Sequence, residues 1–233
     1  SLSQLSQLTQ LRRLNLSRNQ LSALPDSLGL LTELTELALF ENALSSLPNS
    51  VSQLSKLTNL SIAANKFTSL PNCILDLLNL EFLYATDNSI REIPETISRL
   101  KKLRFLSFGG SSLGRFGRTS FQFQSGAVVG NKIETIPISL VQLENIEILV
   151  LDHNPLDPDL QSAYDQGLNE IKAYLRAKEK GEIILNEAKL IIVGEGEVGK
   201  TCLMDALLDR EWQEHLSTHG IEIQQIKVED YEV

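Results

Sequence analysis

The sequence predicts an α/β fold: a solenoid of short parallel strands, then a helix, then the first β-α-β elements of a second domain. The first observation is a 23-residue repeat, and the second is a run of apolar residues at helical spacing from Leu160 to Leu175. The third is a short apolar stretch that leads through glycines into another helical pattern after residue 200. The composition agrees with this, because 42% hydrophobic and 22% charged residues are typical of globular domains.

Asparagines and leucines define the repeat. The pattern around each asparagine is LxxLxLxxNxLxxLPxxLxxL, and the asparagines that recur at 23-residue steps are Asn19, Asn42, Asn65 and Asn88, then Asn131 and Asn154. The LxL core predicts a strand, and stacked strands form a parallel sheet lining a concave face. The asparagine amide is expected to turn inward and satisfy backbone groups of the turn. We therefore interpret residues 1–158 as a leucine-rich repeat solenoid, stabilised by contacts between neighbouring units.

One repeat departs from the register. Ser111 stands where an asparagine is due, and Asn131 appears 20 residues late. The intervening segment is either a loop inserted after a strand or a degenerate repeat. We expect an inserted loop at 111–130, because Gly126 falls where a strand leucine is due and no LP follows Ser111.

The predicted concave face carries a group of aromatic residues. Solenoids usually bind partners on this face, and its exposed strand positions lie six, four, two and one residues before each asparagine. The aromatic residues at these positions are Phe40, Phe82, Tyr84 and Phe105. Adjacent exposed aromatic side chains indicate a protein-binding patch. The alternative, that the insertion or another domain covers them, stays open.

A helix is expected after the repeats. Asn154 and Pro155 end the array, and the apolar residues that follow at near-helical spacing are Leu160, Tyr164, Leu168, Ile171 and Leu175. Basic residues and then Gly181 are typical of a helix end. We predict a single helix within 159–186 that caps the solenoid and links it to the next domain.

The sequence GEGEVGKT at residues 194–201 matches GxxxxGK[ST], a phosphate-binding loop, between an apolar run and a helical pattern. Its glycines let backbone N–H groups turn toward a polyphosphate, and the following helix directs its positive dipole end there. Lys200 would reach the β- and γ-phosphates, and the Thr201 hydroxyl would ligate Mg²⁺. The predicted phosphate-binding residues are Gly194, Glu195, Gly196, Glu197, Val198, Gly199, Lys200, Thr201 and Cys202.

A 23-residue leucine-rich array, a helix, then LNEAKLIIVGEGEVGKTCL and STHGIEI resemble the Roco family. In that family a Ras-like Roc GTPase domain precedes a COR dimerisation domain. The resemblance implies GTP or GDP and Mg²⁺ as ligands, with Thr218 as a second Mg²⁺ ligand and Ser217 as its rival. It also implies a dimer through a COR domain. Glu197 occupies a position that is often glycine in Ras-type loops, and the loop itself does not distinguish GTP from ATP.

Residues 187–233 are predicted to be an incomplete Roc domain, because neither a DxxG nor an NKxD-like motif follows the loop. We expect the chain to be a piece of a longer protein, truncated at both ends, that hydrolyses no GTP by itself. Two hypotheses remain: the chain belongs to a GTPase, or it is a leucine-rich interaction scaffold without competent nucleotide hydrolysis.

The formal net charge of −9 is unevenly placed. Residues 1–154 carry 13 basic and 13 acidic residues, whereas residues 155–233 carry 8 basic and 17 acidic. With no basic stripe, the sequence argues against nucleic acid or an anionic membrane as partner. No apolar run reaches transmembrane length. The two cysteines, Cys73 and Cys202, are far apart, so we expect no disulfide and a cytoplasmic location.

Overall fold

The computed structural model describes residues 7–110 and 130–181. The chain divides into two units, residues 1–186 and 187–233, and every described residue lies in the first unit. Within this part, no helix is long and apolar enough to cross a bilayer.

Six short parallel strands in the described part form one sheet in chain order. They are β1 (Arg13–Asn15), β2 (Glu36–Ala38), β3 (Asn59–Ser61), β4 (Phe82–Tyr84), β5 (Phe105–Ser107) and β6 (Ile148–Val150). Equivalent residues of neighbouring repeats are paired, as Leu37 is with Leu60. The middle leucine of each strand is buried in the core. The predicted solenoid of parallel strands is confirmed.

Strands β5 and β6 are direct neighbours although their sequence separation differs from that of the other pairs. Phe105 pairs with Ile148, whereas β1 to β5 follow one another at the repeat length. The Asn131 Nδ2 donates to the carbonyl of Phe108 at 2.6 Å. Asn131 therefore serves as the inward asparagine of the repeat that begins at β5. In the sheet, β6 therefore lies directly beside β5. Whether residues 111–130 are an inserted loop stays a prediction. Residues 111–129 themselves lie outside the described part.

The return segment of each repeat begins at a proline. Five 3₁₀ helices are described: Asp26–Leu30, Asn49–Gln53, Asn72–Asp76, Glu95–Arg99 and Ile138–Gln142, each following a proline. The proline carbonyl accepts a hydrogen bond from the N–H three residues later, as Pro25 does from Leu28 at 3.0 Å. Proline restricts φ and lacks an N–H, which suits the first position of such a turn.

The core lies between the sheet and these 3₁₀ helices and is built from leucines and isoleucines of adjacent repeats. Phe67 and Phe108 are its largest fully buried side chains. Since each repeat buries its apolar side chains against the next one, the core is continuous along the solenoid.

A left-handed residue turns the chain after most strands. Positive φ angles of +50° to +61° occur at the residue directly before an asparagine, in Arg18, Glu41, Ala64, Asp87 and His153. None of these is glycine, so each carries the steric penalty of a Cβ in this region. The turn aims the following asparagine inward, as the sequence predicted.

Two helices, and not one, follow the last repeat. They are α1 (Pro158–Gln166) and α2 (Leu168–Lys180), separated by Gly167 with φ of +115°. The prediction of a single helix is wrong, because this conformation is incompatible with a helix interior and is open mainly to glycine. The Asp157 carboxylate caps α1 by accepting from the Leu160 N–H at 2.9 Å.

Both helices pack on the end of the solenoid. Leu160 of α1 and Ile171 and Leu175 of α2 are at most 1% exposed and belong to the same core as the repeats. The Leu151 N–H donates to the Tyr164 hydroxyl at 3.0 Å, and burial raises the pKa of Tyr164. The helix pair therefore closes the core at β6.

Candidate interaction surface and nucleotide loop

The predicted nucleotide site falls outside the described residues. This applies to the phosphate-binding residues Gly194–Cys202 and to the proposed Mg²⁺ ligands Thr201 and Thr218. Their roles therefore stay predictions. Among the described residues, no group of three or more His, Cys, Asp or Glu side chains is arranged to hold a metal ion.

The described part presents a second candidate site on the side of the sheet opposite the core, called here the outer face. It carries the first and third residues of every strand, because successive side chains of a strand alternate. The first residues are Arg13, Glu36, Asn59, Phe82, Phe105 and Ile148, and the third are Asn15, Ala38, Ser61, Tyr84, Ser107 and Val150. The outer face is thus mostly polar over β1–β3 and mostly apolar over β4–β6.

Five residues of β4–β6 form what we call the apolar cluster: Phe82, Tyr84, Phe105, Ile148 and Val150. The Tyr84 and Phe105 ring centroids lie 4.8 Å apart with 33° between the ring planes. Phe82 pairs directly with Phe105 across the sheet. The in-register strands therefore bring these three aromatic residues together, as the 23-residue spacing predicted.

The expected exposure of these aromatic residues is wrong. Tyr84 and Phe105 are each 3% exposed and Phe40 is 6% exposed, while Phe82 is half-buried. Side chains at equivalent positions of neighbouring strands are only about 5 Å apart. Large rings in adjacent repeats therefore contact one another instead of standing free in solvent.

Phe40 belongs to a different part of the outer face. It lies in a small cluster with Ala38 and Ala63, apart from the apolar cluster. The Arg18 guanidinium carbon is 5.6 Å from the centre of the Phe40 ring, a distance at which a cation–π interaction is favourable. Of the four aromatic residues named from the sequence, the fold brings three together and separates the fourth.

Two apolar residues of the surface were missed by the sequence reasoning. Ile148 and Val150 lie six and four residues before Asn154, at the positions of Phe105 and Ser107 in the preceding repeat. Counting the same offsets back from Asn154 would have found them. The apolar region is consequently larger than the aromatic residues alone suggested.

Two serines flank Tyr84 in register, Ser61 on β3 and Ser107 on β5. They are 1% and 0% exposed, and among the described residues their buried hydroxyl oxygens have no hydrogen-bond partner. A buried hydroxyl that makes no hydrogen bond costs about 1–3 kcal/mol. These hydroxyls are therefore unsatisfied donors beside the apolar cluster.

Ion pairs at the sheet join equivalent positions of neighbouring repeats. Arg13 lies 3.1 Å from Glu36 on the outer face, and Arg104 donates to Glu147 at 2.7 Å beside β5 and β6. The hydrogen bond to Glu147 raises the pKa of the Arg104 guanidinium. Exposed pairs of this kind contribute at most about 1 kcal/mol, so they orient side chains more than they stabilise the fold.

Cys73 is a free, buried thiol on the side of the repeats away from the outer face, within the 3₁₀ helix Asn72–Asp76. Burial raises the pKa of Cys73 to about 11. A thiol with this pKa is almost entirely protonated at neutral pH and a poor nucleophile. Cys73 is therefore a packing residue.

Comparison with known families identifies the repeats. Residues 1–108 match a family described as a leucine-rich repeat region, and strands β1–β5 all lie inside that match. This part of the chain is a leucine-rich repeat region.

Two curated proteins share shorter stretches with the chain, and both are named Roc-COR-CHAT protease. The protein from Runella zeae is 42% identical over 76 residues, which is 30% of this chain. The second, from an unknown prokaryotic organism, is 34% identical over 88 residues, or 34% of this chain. The matched stretch spans only 8% of the length of either relative.

Solved structures also share a coarse likeness with the chain. An LRR protein of Leptospira interrogans is 24% identical, with 72% of this chain and 55% of that one covered and a TM-score of 0.46. The PEPR1-AtPEP1 structure is 27% identical, covering 64% and 19%, with a TM-score of 0.49. An internalin from Listeria monocytogenes is 22% identical, covering 66% and 44%, with a TM-score of 0.46.

Proposed function

We propose that this leucine-rich repeat chain is the N-terminal part of a Roco-type GTP-binding signalling protein. The observation that carries the proposal is the sequence GEGEVGKT, placed after the repeats and α2 in a chain whose curated relatives are named Roc-COR-CHAT proteases. The repeats would bind a protein partner, and residues 194–201 would bind the phosphates of GTP or GDP with Mg²⁺.

The chemistry proposed for the loop rests on positioning and charge. Backbone N–H groups and Lys200 would hold the phosphates, while Thr201 and Thr218 would ligate Mg²⁺. We assign no catalytic residue within this chain. In the intact protein we expect slow GTP hydrolysis and a dimer through a COR domain. The buried, unpaired Cys73 thiol supports a reducing, cytoplasmic location.

Nucleotide binding by the full-length gene product that contains this chain tests the proposal. We expect isothermal titration with a non-hydrolysable GTP analogue and Mg²⁺ to give saturable binding. Lys200→Ala should weaken it roughly 100-fold, because a charge-assisted contact to phosphate is lost. Lys102→Ala is the matched control, since Lys102 is exposed on the solenoid and its side chain donates to Asn79 in the neighbouring repeat.

An unchanged Kd in the Lys200→Ala protein would refute the assignment of the loop. Competition with ATP decides the base: equal displacement by ATP and GTP would retain a phosphate-binding loop but reject the guanine specificity that the Roco resemblance implies.

A second candidate function is an interaction scaffold without competent nucleotide hydrolysis. It is favoured by the family match, which covers residues 1–108 and hence the repeats only. GTP turnover by the full-length gene product distinguishes the two, because a scaffold would show no hydrolysis above that of its Lys200→Ala variant.

The apolar cluster is the part of the outer face that we propose for partner binding. Phe82 and Ile148 are its half-buried members, whereas Tyr84, Phe105 and Val150 are buried. Phe40, also named from the sequence, would contribute separately through its own small cluster.

A charge placed at Phe82 tests this surface. Phe82→Glu should abolish the capture of specific proteins by the full-length product, measured by quantitative mass spectrometry. Leu78→Glu is the control, because Leu78 is 52% exposed and follows the 3₁₀ helix Asn72–Asp76, away from the outer face. Identical sets of captured proteins for both variants would show that the partner binds elsewhere.

A further inference from the structure

We draw no further inference here: the strongest candidate, the apolar cluster with the flanking Ser61 and Ser107 hydroxyls on the outer face of β3–β6, is the surface already proposed for partner binding, and nothing among the described residues shows what covers it.

Discussion

The side-chain oxygen of Asn88 accepts a hydrogen bond from the backbone N–H of Phe67 in the preceding repeat, at 3.0 Å. The Asn88 Nδ2 donates to the carbonyl of Ile62, which lies in the same repeat as Phe67, at 3.0 Å. It also donates to the carbonyl of Thr86, in its own turn, at 3.0 Å. Asn65 makes the equivalent bonds one repeat earlier, and Asn42 makes them two repeats earlier. The inward asparagine thus ties each repeat to the one before it.

Replacing Asn88 with alanine is expected to lower the free energy of unfolding by about 3 kcal/mol. Asn88 is only 8% exposed, so its loss leaves the Phe67 N–H buried without a partner, at about 1–3 kcal/mol. The Ile62 carbonyl loses one of two side-chain donors and keeps the Asn65 Nδ2 at 3.1 Å, which adds about 0.5–1.5 kcal/mol. Urea unfolding followed by circular dichroism measures the loss. Asn19→Ala is the control, because Asn19 is exposed and, within the part that the structure describes, bonds only Leu16 and Ser17 of its own turn. Equal losses of unfolding free energy in the two variants would contradict a role of Asn88 in joining neighbouring repeats.

Ala64→Gly is expected to stabilise the protein by about 0.5–1 kcal/mol. Ala64 has a φ of +50°, a left-handed conformation that costs an L-residue about 1–2 kcal/mol, and the greater freedom of glycine in the unfolded chain offsets only part of the relief. Thermal unfolding provides the measurement. The neighbouring Ala63, buried and outside the left-handed region, is the control: Ala63→Gly should destabilise by roughly 0.5–1 kcal/mol. A lower Tm for Ala64→Gly would argue against relieved strain.

Leu175→Ala in α2 is expected to lower the free energy of unfolding by about 3 kcal/mol. Leu175 is 0% exposed within the core that the repeats share, and truncating such a leucine removes buried area and leaves a cavity. The control is Leu78→Ala, which should lower the free energy of unfolding by less than about 1 kcal/mol because Leu78 is 52% exposed. Denaturant unfolding of both variants measures the two losses. A small effect at Leu175 would mean that α2 is a linker and not part of the cap.

Much of the solenoid could be predicted from the sequence, since its period is visible in every unit except the one in which Ser111 replaces the asparagine. The inward role of Asn65, for example, follows from its place just after a strand, and its hydrogen bonds confirm it. The break at Gly167 was missed because the apolar spacing from Leu160 to Leu175 runs across it. Ile148 and Val150 were missed because the exposed positions were counted only for the repeats before Ser111.

The sequence by itself determined the repeat register, the identity of the core leucines and the residues of the phosphate-loop motif, because each is a pattern within one repeat or one short segment. Only the tertiary structure decided that β5 joins β6, that two helices close the core, and that Tyr84 and Phe105 are buried. The physical reason is that burial depends on neighbours supplied by other strands. Parallel pairing, for example, places the Tyr84 and Phe105 rings 4.8 Å apart although the two residues are far apart in sequence.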